Sequence, residues 1–309
     1  MQKKSRAPAR RTIIALSFPA LLTGAPALAQ QAADGPQTSW ALSATTAHQF
    51  GADLDSGGDV EASRVFLNAS AMRRIDARFE AGMNLSYQFD DWTFGNPAAF
   101  GNVAPWGDIH RAGIGLRLGY AGENGWRYAL APAVQWAGES GADTDDGFIY
   151  GAVASATKAF TPRLTLGLGL AVFRDIEETE FFPYLAVSWN ITDQLKLANP
   201  FAAGPAGPGG LEFSYALDNG RDVGFGAAFR RYRFALDSNG PSGGGIGESE
   251  SIPVFLRASQ NFGKASRLDF YAGAMFNGKL TVEFPNDAGE ISADYDTAPF
   301  IGITLGTRF

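Results

Sequence analysis

Residues 164–172 read LTLGLGLAV, and their alternation decides the fold. Leu164, Leu166, Leu168, Leu170 and Val172 are apolar, whereas Thr165, Gly167, Gly169 and Ala171 between them are small or polar. Successive side chains of a strand point to opposite faces, so one face here is greasy and the other has little bulk. The pattern recurs outward along the chain. Phe79, Ala81, Met83, Leu85, Tyr87 and Phe89 alternate with Glu80, Gly82, Asn84, Ser86 and Gln88, and Leu116, Leu118 and Tyr120 with Arg117 and Gly119. Fourteen such segments are expected, near 38–50, 60–74, 77–94, 108–121, 125–137, 147–159, 163–174, 181–191, 194–200, 210–217, 222–236, 250–263, 266–284 and 294–309. The ninth and tenth are the shortest, and twelve strands is the fallback.

The connections sort by parity. Ile75-Asp76, Gly122-Glu123-Asn124, Thr161-Pro162, Thr192-Asp193, Asp218-Asn219-Gly220 and Gly263-Lys264-Ala265 are tight turns. Longer connections alternate with them, near 51–59, 95–107, 138–146, 175–180, 201–209, 237–249 and 285–293. Outer-membrane barrels join their strands by short periplasmic turns and longer outer loops. A chain entering from the periplasm puts all the tight turns on that side. A soluble sandwich would carry Lys, Glu and Thr on its second face, and no solenoid period is evident. The fold class expected is an all-β, transmembrane, antiparallel up-and-down barrel over residues 38–309.

Residues 1–29 read as a cleavable signal peptide. Lys3, Lys4, Arg6, Arg10 and Arg11 form a basic start, residues 12–22 a short apolar run, and Ala27-Leu28-Ala29 a small-x-small cleavage site. Residues 30–37 would be a short periplasmic segment. No apolar run reaches the length of a membrane helix. The chain has no cysteine, which excludes disulfides and a lipid-anchored cysteine. Without the five basic residues of the leader, 20 basic and 32 acidic groups remain, a net of −12. That balance argues against a nucleic-acid-binding surface.

Alternation assigns Arg64, Glu80, Asn84, Arg111, Arg117, Arg127, Gln135, Glu212, Arg230, Arg257 and Asp269 to the lumen, because an Arg facing lipid near the midplane costs about 2–4 kcal/mol. They read either as a polar path for small solutes or as charges bracing one another. Arg230-Arg231-Tyr232-Arg233 cannot all face inward on a flat wall, so part of the run is expected at the outer rim or beside a bulge. Inward glycines (Gly82, Gly113, Gly115, Gly167, Gly169, Gly224, Gly226, Gly273) are read as leaving space. Trp40, Tyr87, Trp92, Tyr120, Trp126, Tyr128, Trp136, Trp189 and Tyr215 sit near strand ends, where aromatic girdles belong. The outer loops are acidic. Asp53, Asp55, Asp59, Asp143 and Asp145 have oxygen-ligand character but do not complete a calcium loop, and solvated carboxylates are the default reading. The uncharged connections at 95–105 and 199–210 either cover the mouth or touch lipid headgroups.

Enzymatic chemistry needs a nucleophile and a base. His48 and His110 are the only histidines, and neither has a serine two residues on. Only a dyad assembled from neighbouring strands would serve, so no catalytic residue is assigned. No cofactor is expected.

The leader, Pro105-Trp106-Gly107-Asp108-Ile109-His110, the strand–turn units and the terminal Phe309 together resemble outer-membrane barrel families of Gram-negative bacteria that carry a domain-of-unknown-function label. Size and strand number resemble the monomeric fourteen-stranded porins. The resemblance implies fold and location and carries no catalytic residues. Ile301, Ile303, Leu305 and Phe309 share one face of the last strand and resemble the terminal signal read by the barrel-assembly machinery. Expected partners are outer-membrane lipids, lipopolysaccharide, that machinery and small polar solutes. The function expected is a porin-like passive channel. A non-transporting envelope barrel is the alternative, and a lipid-modifying enzyme the second alternative.

Overall fold

The computed structural model describes residues 38–309 apart from 177 and 200–208. The expected leader, the segment 30–37 and most of the connection at 199–210 lie outside the described residues.

Eight strands follow in sequence: β1 (Thr38–Asp53), β2 (Asp59–Arg74), β3 (Phe79–Gly95), β4 (Asp108–Ala121), β5 (Trp126–Glu139), β6 (Phe148–Thr161), β7 (Leu164–Asp175) and β8 (Glu178–Asn190). Two short ones come next, β9 (Leu195–Ala198) and β10 (Gly210–Ala216), then β11 (Arg221–Ala228), β12 (Arg230–Ala235), β13 (Ile246–Phe262), β14 (Ser266–Glu283), β15 (Glu290–Tyr295) and β16 (Ala298–Arg308). β11 and β12 form one strand broken at Phe229. Both pair with β13 in a single register, Ala227 opposite Val254 and Arg230 opposite Ser251. β15 and β16 likewise share one register on β14, with Tyr295 opposite Gly278 and Ala298 opposite Met275. β16 pairs with β1 and closes the ring. The wall is therefore a closed fourteen-stranded antiparallel barrel, and the ninth and tenth segments are both members of it.

Local chemistry sets the turns at the end where β1 starts and β16 finishes. Asn124 and Gly125 take φ values of 55° and 79°, and Asn219 and Gly220 61° and 70°. Positive φ at both central residues matches the right-handed twist of the strands on either side. The Asp76 carboxylate accepts from the Arg78 and Phe79 N–H groups at 2.7 and 2.8 Å, which pins the β2–β3 turn.

The outer face of the wall is apolar. Leu42, Leu67, Leu85, Leu116, Leu130, Leu168, Leu185, Phe225, Leu256, Phe270 and Ile301 all stand exposed on it. A water-soluble monomer rarely shows a continuous apolar patch above a few hundred Å², so hydrocarbon is the solvent of this band. Aromatic side chains rim it at the turn end. Phe79 and Tyr120 lie 4.8 Å apart, and Trp126 and Tyr128 stack at 6.0 Å. Trp92 departs from the girdle expectation: it is 5% exposed and points into the interior, because Asp91, its neighbour, takes the outward position.

At the outer end the barrel turns in on itself. β12, residues 246–251 of β13, residues 278–283 of β14, and β15 form a four-stranded leaf. It leaves the wall where the β13–β14 register slips between Glu250 and Ile252, beside Asn277 with φ 50°. The leaf crosses the lumen, and its free edge reaches β5, where Ala235 bridges Gly138 in parallel. On the way β15 meets the β1–β2 connection at a Leu54–Tyr295 bridge. Every residue of β12 is buried. Of the two placements expected for part of Arg230–Arg233, the rim is corrected, because the segment lies inside the barrel with both faces covered; the bulge is found, since Arg230 pairs with Ser251 where the β13–β14 register slips.

Candidate functional site

The interior has two levels with different chemistry. Toward the turns the inner wall is polar and half-exposed, with Ser43, Asn68, Asn84, Ser86, Gly113, Gly115, Ser155 and Thr165 around it. Asn84 Nδ2 donates to Asn68 Oδ1 at 2.9 Å. Arg117 lies 3.9 Å from Glu80. Arg127 stands exposed at the mouth. Across from them, Arg257 is ringed by Glu212, Asp222 (2.6 Å) and Asp269 (3.2 Å), with Arg267 bridging Asp222 and Asp269 at 2.8 Å each.

Higher up, the polar groups are sealed. Arg64 pairs with Asp90 at 3.7 Å and donates to Gln49 Oε1 at 3.2 Å. Gln88 donates to both Asp90 oxygens. Thr45 and Thr304 share a 2.7 Å hydrogen bond across the β1–β16 seam. Arg111 lies 4.8 Å over the Tyr232 ring and donates to the Arg233 carbonyl at 3.1 Å. Gln135 is buried beside it. Arg230 lies 4.7 Å over the same Tyr232 ring and 5.6 Å over Phe66. Of the eleven residues assigned to the lumen by alternation, Arg64, Arg111, Gln135, Glu212, Arg230, Arg257 and Asp269 are buried, Glu80, Asn84 and Arg117 half-buried and Arg127 exposed. Arg64, Arg117 and Arg257 are each matched by carboxylates.

The leaf is two-faced. Arg230, Tyr232, Phe234, Leu280, Val282 and Tyr295 share one face, which packs on the β1–β4 side. Phe234 meets Trp106 at 5.2 Å, and Trp106 meets Trp92 and Phe94 edge-on at 5.9 and 5.5 Å. The connection at 95–107 therefore folds into the mouth, with Pro97, Pro105 and Trp106 buried. The other face carries charge. Arg231 contacts Glu180 (2.6 Å), Glu248 (2.5 Å) and Glu250 (3.3 Å), and Arg233 contacts Glu178 (3.6 Å), Glu248 (3.7 Å) and Glu283 (2.9 Å). Glu178 and Glu180 point inward from β8, so residues of outward parity on β12 meet the inner wall opposite. Alternation along one strand missed this network, because it assumes that a strand stays in its wall. The usable signal was Arg231 beside Arg230, since adjacent charges on a strand require both faces to be shielded from lipid.

Several inward-facing glycines do not leave free space. A Cβ on Gly169 would meet the Tyr184 ring at 2.1 Å, on Gly151 the Phe173 ring at 2.5 Å, and on Gly226 the Phe255 ring at 2.6 Å. Gly169 and Gly226 are thus seats for neighbouring aromatic rings and not open space, whereas a Cβ on Gly115 would stand 3.5 Å from its nearest neighbour.

The acidic outer connections hold Asp53 and Asp59 as a cross-strand pair, while the Asp55 N–H donates to the Asp294 carbonyl at 3.0 Å. Among the described residues no group of three or more His, Cys, Asp or Glu side chains is arranged to hold a metal ion, Asp143 and Asp145 included. Both histidines face outward and each has a serine from a neighbouring strand or connection. His48 Nδ1 lies 3.0 Å from Ser63 Oγ, and His110 Nε2 lies 3.1 Å from Ser140 Oγ. Spacing along a single strand could not reveal either pair.

No family model and no curated protein matches the chain. An outer-membrane channel from Pseudomonas putida F1 superposes with a TM-score of 0.50 at 9% identity, over 91% of this chain and 100% of that one. The deltaS2 mutant of the monoaromatic hydrocarbon channel TodX gives 0.44 at 8% identity, over 90% and 91%. The translocator domain of the autotransporter NalP from Neisseria meningitidis gives 0.34 at 13%, over 89% and 90%. Likeness at such identity concerns the fold. The chain is an outer-membrane β-barrel, and its apolar band sits in that membrane.

Proposed function

We propose that the protein is a gated channel for small polar solutes, held shut at its outer mouth by the leaf. The observation that carries this reading is the change of interior along the axis. Half-exposed polar groups line the half toward the turns, and a packed aromatic core with sealed ion pairs fills the outer half. Solutes would meet Asn84, Arg117 and Arg127 once past the leaf. A water-filled route through the outer half requires the leaf to move. In the same reading the outward Ile301, Ile303, Leu305 and Phe309 are recognised by the assembly machinery, and the acidic loops face lipopolysaccharide.

Planar-bilayer recording of the refolded chain tests the proposal. Rare, brief conductance steps are expected from the native protein and frequent ones from a chain lacking residues 237–244, the tip that closes the leaf. Silence from both would favour a non-transporting envelope barrel.

A further inference from the structure

The register across β3, β4 and β5 builds a polar cluster on the lipid-facing wall at the outer end of the apolar band. Three outward rows stack there. Tyr87, Ala112 and Trp136 form the lowest, Phe89, His110 and Gly138 the next, and Asp91 and Asp108 the uppermost, with Ser140 completing it just past the end of β5. Below them Leu85, Ile114 and Val134 stand exposed in the band. His110 Nδ1 lies 2.8 Å from the Tyr87 hydroxyl, and Nε2 lies 3.1 Å from Ser140 Oγ and 3.3 Å from Asp108 Oδ2. Asp108 also accepts from the Ser140 hydroxyl.

Ser140 is held in place from both sides. Its N–H donates to the Asp108 carbonyl at 3.2 Å, and the next residue, Gly141, takes φ 97° and reverses the chain. Glu139, pointing inward, accepts from the Gly107 and Asp237 N–H groups at 2.9 and 3.0 Å. The indole of Trp136 donates to the Thr144 carbonyl at 3.0 Å and ties down the rest of the connection. A serine fixed against an imidazole, whose second nitrogen is oriented by a third group, is the arrangement that activates a hydroxyl. Here Tyr87 is that third group, and the carboxylate lies on the serine side of the ring.

We infer that Ser140 and His110 form a nucleophile–base pair that hydrolyses the carboxylic ester of a membrane-lipid acyl chain. The acyl chain runs down the wall over Ala112, the one small residue between Tyr87 and Trp136, onto Ile114. With His110 Nδ1–H donating to the Tyr87 oxygen, the Ser140 hydroxyl turns from Asp108 to His110 Nε2, and Oγ attacks the ester carbonyl carbon as its proton passes to that nitrogen. Asp108, 3.3 Å from that nitrogen, stabilises the imidazolium. The tetrahedral intermediate expels the lipid alkoxide, which takes the proton from His110. Water, deprotonated by His110, then attacks the acyl-serine carbonyl, releases the fatty acid and returns the proton to Ser140. Ser140, His110 and Asp108 are the catalytic residues, and Tyr87 is a positioning residue.

The test uses the full chain refolded in detergent–lipid micelles, with heat-modifiable gel mobility as the check that each variant has folded. A long-chain alkyl fluorophosphonate should label the peptide bearing Ser140, and Ser140→Ala should abolish the label. Acyl release is followed from two probes, vesicles of phosphatidylethanolamine and purified lipopolysaccharide, each labelled in its acyl chains. Release from one of them by the native chain names the lipid, and His110→Asn should slow it at least about a hundredfold. Tyr87→Phe should leave the fold intact and move the pH profile of the rate. Equal release by Ser140→Ala and the native chain, or no labelling of a folded native chain, overturns the assignment. Labelling without release from either lipid overturns the substrate class.

Discussion

Arg231 donates to Glu180 at 2.6 Å across the interior, although Arg231 stands on the outward-parity side of its strand. The pair exists only because the leaf has left the wall. Both side chains are almost sealed, at 7% and 5% exposure. Removing one partner of such a pair leaves the other charge buried and costs about 3–5 kcal/mol. Arg231→Ala should therefore release the leaf from β8. Single-channel recording should find openings at least tenfold more frequent, because Glu180, Glu248 and Glu250 all lose the same partner.

Phe234 is 2% exposed and fills the space beside Trp106. Truncating a buried Phe costs about 3–5 kcal/mol. Phe234→Ala should weaken docking of the leaf but spare the ring of strands below it. Amide exchange should accelerate in 230–235 and 246–250 and stay slow in β6 and β7.

A covalent lock should act in the opposite sense. Leu54 and Tyr295 face each other as a non-hydrogen-bonded pair, flanked by Asp55 N–H to Asp294 O at 3.0 Å and Asp296 N–H to Asp53 O at 2.9 Å. Such pairs bring Cβ atoms within disulfide reach, and the chain has no competing cysteine. Leu54→Cys with Tyr295→Cys should suppress openings when oxidised and regain them in dithiothreitol. Equal conductance in both redox states would count against the leaf as the gate.

Lipid-facing and inner positions on one strand should respond differently to charge. Leu116 is 53% exposed in the apolar band, and Leu116→Arg should destabilise the barrel in vesicles by about 2–4 kcal/mol in urea unfolding. Gly115→Ser, on the inner face with 3.5 Å to the nearest atom of an added Cβ, should change stability little.

The β2–β3 turn gives a pH signature. The Arg78 and Phe79 N–H groups hold the Asp76 carboxyl below the usual carboxylate range. A depressed folded value means that the stabilisation is present above the unfolded value, about 3.9, and fades as pH falls through the lower folded one. Asp76→Ala should thus be less stable than the native chain at neutral pH, with the gap closing as pH falls below the unfolded carboxylate value, about 3.9.

The wall was legible in the chain because lipid imposes a strict period of two. Leu164 to Val172 could be read face by face, and the tight turns, such as Ile75-Asp76 and Asp218-Asn219-Gly220, by their shortness and parity. The interior was legible only in part. Arg64, Glu80 and Arg257 sit where alternation puts them, but their partners Asp90, Arg117 and Asp222 are chosen by register, which one strand does not encode. Arg231 and Glu180 are 51 positions apart, and a fold-back of the wall brings them together. Ser140 escaped for a related reason: it joins His110 through β4–β5 pairing, 30 positions away in the chain.

The shared registers at the breaks by Phe229 and between Tyr295 and Ala298 have one more consequence. The stopper is cut from the same staves as the cask. It is continuous with the wall at every one of its strands, so it cannot be expelled or exchanged for another.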